Sequence, residues 1–129
     1  MIQKWLLIST TALVLTCLTG CIHFNCNEER RTSVEMISGP NSGKVGEDIL
    51  FNVTYYATNG CGSFQGISDT REDNTITVEG KVKYSGCVCP EVLVFFEEQY
   101  IFKASSPGTY EIVFLSTGSN TFKHTITIN

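Results

Sequence analysis

Positive charge is scarce and scattered in this 129-residue chain, where 9 Lys and Arg stand against 13 Asp and Glu for a formal net charge of −4. No basic stripe is present to neutralise phosphates, so nucleic acid is excluded as a partner and anionic lipid head groups find no docking patch. Apolar runs of membrane-spanning length are missing as well. The longest apolar stretch, Trp5 to Leu15, falls short of the ~20 residues that a transmembrane helix needs. Helical periodicity is absent beyond that stretch. Histidine is limited to His23 and His124, and no hydrolytic constellation forms around either. His124 falls on the inward face of the last expected strand, where a neighbour satisfies it, and Asp48, Asp69, Glu72 and Asp73 read as polar turn residues. Gly39-Pro40-Asn41-Ser42-Gly43-Lys44 lacks the Gly-Lys-Ser/Thr ending and the following helix of a phosphate loop, so it is a turn. We therefore expect no enzyme and no cofactor.

What is present is alternation with period two. From Asp48 to Ala57, Ile49, Phe51, Val53 and Tyr55 share one face, and Asn52, Thr54 and Tyr56 share the other. From Thr75 to Tyr84, Ile76, Val78, Val82 and Tyr84 alternate with Thr77, Glu79, Lys81 and Lys83. The same pattern gives three further inward sets: Tyr100, Phe102 and Ala104; Tyr110, Ile112 and Phe114; and Phe122, His124, Ile126 and Ile128. A first strand is expected over Ser33 to Ile37 and a weaker one over Ser63 to Ser68. Turn clusters at Gly39 to Gly43, Asp69 to Asn74, Ser105 to Gly108 and Thr117 to Asn120 separate them. The apolar run Val92-Leu93-Val94-Phe95-Phe96 does not alternate, and continuous runs of this kind are expected to be buried on both faces, with an exposed partner-binding patch as the alternative.

The N-terminus carries an address. Lys4, the apolar centre and the small residues Thr19 and Gly20 before Cys21 have the layout of a secretory signal. Leu18-Thr19-Gly20-Cys21 resembles the lipobox of bacterial lipoproteins. That resemblance implies cleavage after residue 20, acylation of Cys21 with palmitate-type chains, and a location in the bacterial cell envelope, with the outer membrane as the expected address. Acyl chains rather than charge would then hold the protein, since removing Lys4 leaves 8 basic against 13 acidic residues. The expected organisation is a signal peptide over 1–20, a lipidated tether over 21–32 and one β domain over 33–129.

The segment Pro107-Gly108-Thr109-Tyr110-Glu111-Ile112, followed by a hairpin and Lys123 to Ile128, is similar to the last two strands of bacterial immunoglobulin-like domains. The resemblance extends in pattern over residues 33–129. It implies an all-β fold, an immunoglobulin-like antiparallel β-sandwich of about seven strands, in which Tyr110 acts as a tyrosine corner bonding back to the preceding loop.

Cys17 leaves with the signal and Cys21 is spent on lipid, so Cys26, Cys61, Cys87 and Cys89 remain. Four thiols in an exported chain point to two disulfides. Alternating strand directions gather all four at one pole, with one bridge from Cys61 to either Cys87 or Cys89 and another from Cys26 to the remaining member. Thiolate binding of copper or zinc competes with this reading, although no Cys-x-x-Cys spacing is present.

Fold alone does not name a function. The leading expectation is a non-catalytic, lipid-anchored binding or structural module of the cell envelope. Its partner would be an envelope protein or glycan, met at the pole opposite the cysteines, where Arg71, Glu72 and Asp73 lie, or at a sheet edge. A second expectation rests on loop placement. Asn59 to Gly62, Ser85 to Pro90 and Thr117 to Asn120 are similar in position to the three loops of chagasin-like cysteine-peptidase inhibitors, although that family's loop motifs are absent. Thiolate metal handling is the third.

Overall fold

The computed structural model of the chain describes residues 25–129; the signal segment expected over 1–20 and the acylation site expected at Cys21 lie outside the described residues. Among the described residues every regular element is a strand. They are β1 (Asn27–Arg31), β2 (Ser33–Ser38), β3 (Ser42–Gly43), β4 (Ile49–Ala57), β5 (Gly62–Glu72), β6 (Thr75–Ser85), β7 (Val94–Phe102), β8 (Gly108–Leu115) and β9 (Thr121–Ile128).

Alternation builds the core as expected. Ile49, Phe51, Val53, Tyr55 and Ala57 of β4 are buried, as are Ile76, Val78, Val82 and Tyr84 of β6 and Tyr110, Ile112 and Phe114 of β8. Each fully buried side chain of this size contributes about 1.5–3 kcal/mol. Aromatic rings knit the two layers: Phe51 lies 6.2 Å from Phe114, Tyr100 meets Phe114 edge-on at 5.9 Å, and Phe102 meets Tyr110 at 5.3 Å. The tyrosine-corner expectation holds, because the Tyr110 hydroxyl donates to the Ser106 carbonyl at 2.8 Å.

The strands form two sheets. One is the three-stranded β2-β4-β7, antiparallel throughout. The other has six strands, with β6, β8, β9 and β3 in order and β5 on the far side of β6. A single edge of β6 serves two partners: β8 pairs with Thr75 to Glu79, and β1 pairs with Lys81 to Ser85. Gly80 marks the changeover, where its carbonyl accepts the Thr32 amide at 2.9 Å. Arg31 adds two guanidinium bonds to Glu79 Oε2, at 3.0 and 2.9 Å.

Several expectations are corrected here. The sandwich has nine strands rather than seven, because β1 lies inside the stretch expected to be tether (21–32) and β3 inside the turn cluster at 39–43. The six-stranded sheet therefore includes residues before 33. Pairing is not purely antiparallel either: β6 with β8 and β3 with β9 are parallel. The first follows from connectivity, since the chain leaves β6, crosses to the other sheet as β7 and returns along β6 in its original direction. Phe122, expected inward, is 37% exposed, and His124 is half-buried. The three-stranded sheet ends at β2 and covers the start of β9 only in part; His124 meets the Pro40 carbonyl at 2.9 Å and the Phe51 ring at 5.0 Å. The run 92–96 is not buried on both faces. Val94 and Phe96 are half-buried against the core, whereas Phe95 on the opposite face of β7, and Val92 and Leu93 before the strand, are each more than half exposed, since no third layer covers the outer face of the three-stranded sheet.

Candidate functional site

The four cysteines meet at one pole, as strand directions require. β4 and β6 both end there, β7 begins there, and the chain enters β1 from there. Cys26 is bridged to Cys87 with Cα atoms 4.9 Å apart, and Cys61 to Cys89 at 5.4 Å. This resolves which member of the Cys87/Cys89 pair takes which partner. The sulfurs are paired, and Cys87 and Cys89 each bond a different strand end. Among the described residues no group of three or more His, Cys, Asp or Glu side chains is arranged to hold a metal ion.

Backbone bonds lock the loops around these bridges. Asn59 Oδ1 accepts the Cys61 amide at 3.0 Å in an Asx turn, and the Ser85 amide donates to the Cys61 carbonyl at 3.2 Å. Gly60 donates to the Pro90 carbonyl at 2.9 Å, tying the β4–β5 loop to the β6–β7 loop. Gly86 sits at φ +128°, where an L side chain is strained, and its amide donates to the Cys26 carbonyl at 3.2 Å. Between the bridged Cys87 and Cys89, Val88 stands 93% exposed, and Val92, Leu93 and Phe95 follow it as a bare apolar strip.

Beneath the strip a polar cluster joins β1 to β4 and β6. The Thr58 amide donates to the Tyr84 hydroxyl at 2.9 Å, Arg30 Nη2 donates to Thr58 Oγ1 at 3.1 Å, and the Arg30 guanidinium lies 4.5 Å over the Tyr84 ring. Burial pushes the Tyr84 hydroxyl up, but the Thr58 bonds and the Arg30 charge together outweigh it and hold the group below the ordinary tyrosine value.

The β8–β9 turn does not join this pole. Leu115 pairs with Glu79, about 20 Å short of the end of β6 at ~3.3 Å per residue, and the next stretch of the β6 edge is taken by β1. That turn packs on the β1–β2 junction instead, with Ser116 Oγ accepting the Val34 amide at 3.0 Å and Ser33 Oγ 2.7 Å from Thr117 Oγ1. The three-loop placement behind the chagasin comparison is therefore not built.

At the opposite pole, Arg71, Glu72 and Asp73 stand in different settings. Arg71 is a brace: it donates to the Lys103 carbonyl at 2.8 Å, contacts Asp69 at 3.3 Å and covers the Phe102 ring at 5.5 Å. Asp69 in turn accepts the Tyr100 hydroxyl at 2.8 Å. Glu72 and Asp73 are exposed at the β5–β6 turn, where Asp73 has φ +52°.

Sequence reasoning missed the outer face of the three-stranded sheet. There Met36, Leu50 and Ile101 are exposed around a shallow depression whose floor carries Ser38, Asn52, Thr54, Glu97 and Gln99. Gln99 donates to Asn52 Oδ1 across the strands at 3.2 Å. The signal was available, since Leu50 and Ile101 are apolar residues at outward positions of alternating strands.

Comparison with curated proteins and with solved structures gives no match. A family model does match, over residues 51–128, from within β4 to the end of β9 and including the Cys61–Cys89 bridge. With two packed sheets and this matched span, the chain belongs to the ORF11 beta-sandwich domain family.

Proposed function

We propose that the protein is a lipid-anchored, non-catalytic binding module of the bacterial cell envelope. One observation carries this reading. Cys26, five positions after the lipobox residue Cys21, is covalently joined to Cys87 of the sandwich. An extended chain reaches at most ~3.6 Å per residue, so an acylated Cys21 holds the cysteine pole within roughly 18 Å of the bilayer. The two disulfides support an oxidising, exported location. An envelope protein or glycan then meets surfaces that face away from the anchor. The depression around Asn52 and Gln99 offers polar groups for such a ligand with apolar flanks, and the Glu72-Asp73 turn offers charge.

Growth with an alkyne-tagged palmitate analogue tests the anchor. Wild-type protein takes up the tag and sediments with membranes, and Cys21→Ser does neither; tag-free protein, or a cleaved Cys21→Ser chain that stays membrane-bound, overturns the anchoring. Crosslinking in envelopes tests the binding surface. Capture falls with Asn52→Arg/Gln99→Arg or with Glu72→Lys/Asp73→Lys, and capture unchanged by both pairs refutes a partner site away from the anchor.

A further inference from the structure

We propose that the apolar strip at the cysteine pole, Val88, Val92 and Leu93 with Phe95 behind them, dips into the interface of the bilayer that holds the anchor and so fixes the orientation of the domain. The inference rests on the anchoring reading and adds a second, non-covalent contact to it.

Three observations converge. The first is composition: the loop from Gly86 to Leu93 holds a single charge, Glu91, and no basic residue. Val88, Val92 and Leu93 are 93%, 52% and 52% exposed, three bare apolar side chains within six residues of one loop. The second is rigidity. Val88 is held between two bridged cysteines, and Pro90 is tied to Gly60 by a 2.9 Å backbone bond, so the tip loses little conformational freedom on being buried. The third is position. Cys87, the residue before Val88, is the one bridged to Cys26, so the chain leading to Cys21 leaves the sandwich beside the tip itself. Within the ~18 Å limit of that chain, the tip can reach the membrane.

A lipid surface is the occupant this chemistry fits. Interfacial apolar side chains settle roughly 5–10 Å into the boundary between head groups and acyl chains, a depth that a loop tip can reach without burying the sheet behind it. With no cation in the loop, the contact does not depend on anionic lipid. It should form equally on zwitterionic vesicles and be insensitive to salt.

The test uses tryptophan as a depth reporter. The one tryptophan, Trp5, leaves with the signal, so in the mature chain Leu93→Trp or Val88→Trp carries a single probe. Val45→Trp, at an exposed apolar position of the opposite pole, is the control. Mature acylated protein is reconstituted into phosphatidylcholine vesicles with and without brominated acyl chains, and its mass is checked for acylation and for both disulfides. The expected result is a blue shift and loss of emission with brominated lipid at positions 93 and 88, unchanged by salt, with no loss at 45. Acylated protein whose probes at 93 and 88 are quenched no more than the probe at 45 overturns the inference and leaves the anchor standing. A chain that carries no acyl group overturns the anchor and the inference together. Shielding of the 88 probe from aqueous iodide in whole envelopes but not in protein-free vesicles assigns the tip to a protein partner and overturns the lipid contact.

Discussion

Gly80→Ala tests the junction on which the six-stranded sheet depends. Gly80 is where one edge of β6 passes from β8 to β1, and a Cβ built there would lie 2.7 Å from Thr32 Cγ2 and 2.8 Å from Tyr55 Cε1. Neither neighbour can retreat. Tyr55 is fully buried and stacked on Phe64 at 5.3 Å, while Thr32 is fixed by its amide bond to Gly80 and by a 2.9 Å bond from its hydroxyl to the Tyr56 carbonyl. Two effects oppose each other. Replacing glycine by alanine restricts the unfolded chain and stabilises by ~0.4–1 kcal/mol where the site is open. Overpacking a closed site costs about 1–3 kcal/mol, and with both neighbours held the clash wins. Offset by that gain, the net cost is about 0.5–2.5 kcal/mol, and in a domain of about this size each kcal/mol moves Tm by ~4 °C or more, so the melting temperature of Gly80→Ala should fall by roughly 2–10 °C. Thermal unfolding followed by circular dichroism, under oxidising conditions, measures it. Thr32→Ser removes the Cγ2 methyl and keeps the hydroxyl, so Gly80→Ala should cost less in that background, a coupling that a double-mutant cycle reads directly. Gly80→Ala melting within about 1 °C of the parent would refute the closed junction.

The two disulfides should contribute unequally: Cys26–Cys87 spans 61 residues and Cys61–Cys89 spans 28, so by loop-closure entropy the Ser/Ser replacement of the first costs about 4 kcal/mol and of the second about 3.5 kcal/mol. Equal melting of oxidised and reduced protein would contradict both bridges. Alkaline titration should separate the tyrosines. Burial raises Tyr55 and Tyr100 above the ordinary value of 10.0, helped at Tyr55 by Glu98 and at Tyr100 by Asp69, so their stabilisation is complete below pH 10 and is lost as pH rises beyond it. Absorbance should show Tyr84 ionising ahead of them, and Tyr55→Phe should move alkaline unfolding to higher pH; a single step near pH 10 for all tyrosines with native near-ultraviolet dichroism would rule this out. Arg71→Ala should lower stability by about 1 kcal/mol through loss of the bond to the Lys103 carbonyl, while Glu72→Ala and Asp73→Ala should not, and equal melting of the three variants would mean that Arg71 is not a brace.

Strands with one buried face were readable because burial forces a period of two, and the inward sets of β4, β6 and β8 all stand where alternation puts them. β1 escaped notice for a physical reason: Asn27, Glu28, Glu29 and Arg30 are all exposed, and only backbone pairing with β6 makes them a strand. β5 extends past its expected end at Ser68 to Glu72 for the same cause, being an edge strand whose last residues are exposed. The run 92–96 misleads because local hydrophobicity does not say whether a layer covers it. The cysteine pole was legible, since strand direction alone gathers the four thiols, but the choice between Cys87 and Cys89 depends on loop geometry that spacing does not encode. Arg71 looked like a free turn charge because its anchors, Lys103 and Phe102, are distant in the chain.

Cys26 precedes β1 by one residue, and its bridge to Cys87 has a mechanical meaning. A pull on the chain upstream of Cys26 does not peel β1 from the half-edge of β6 one hydrogen bond at a time. The load passes through sulfur into the segment after β6, and from Cys89 through the second bridge to Cys61 at the start of β5. β1, which pairs with β6 over five residues on one side only, thus lies off the path of the force, and the sandwich is hung from covalent bonds at its cysteine pole.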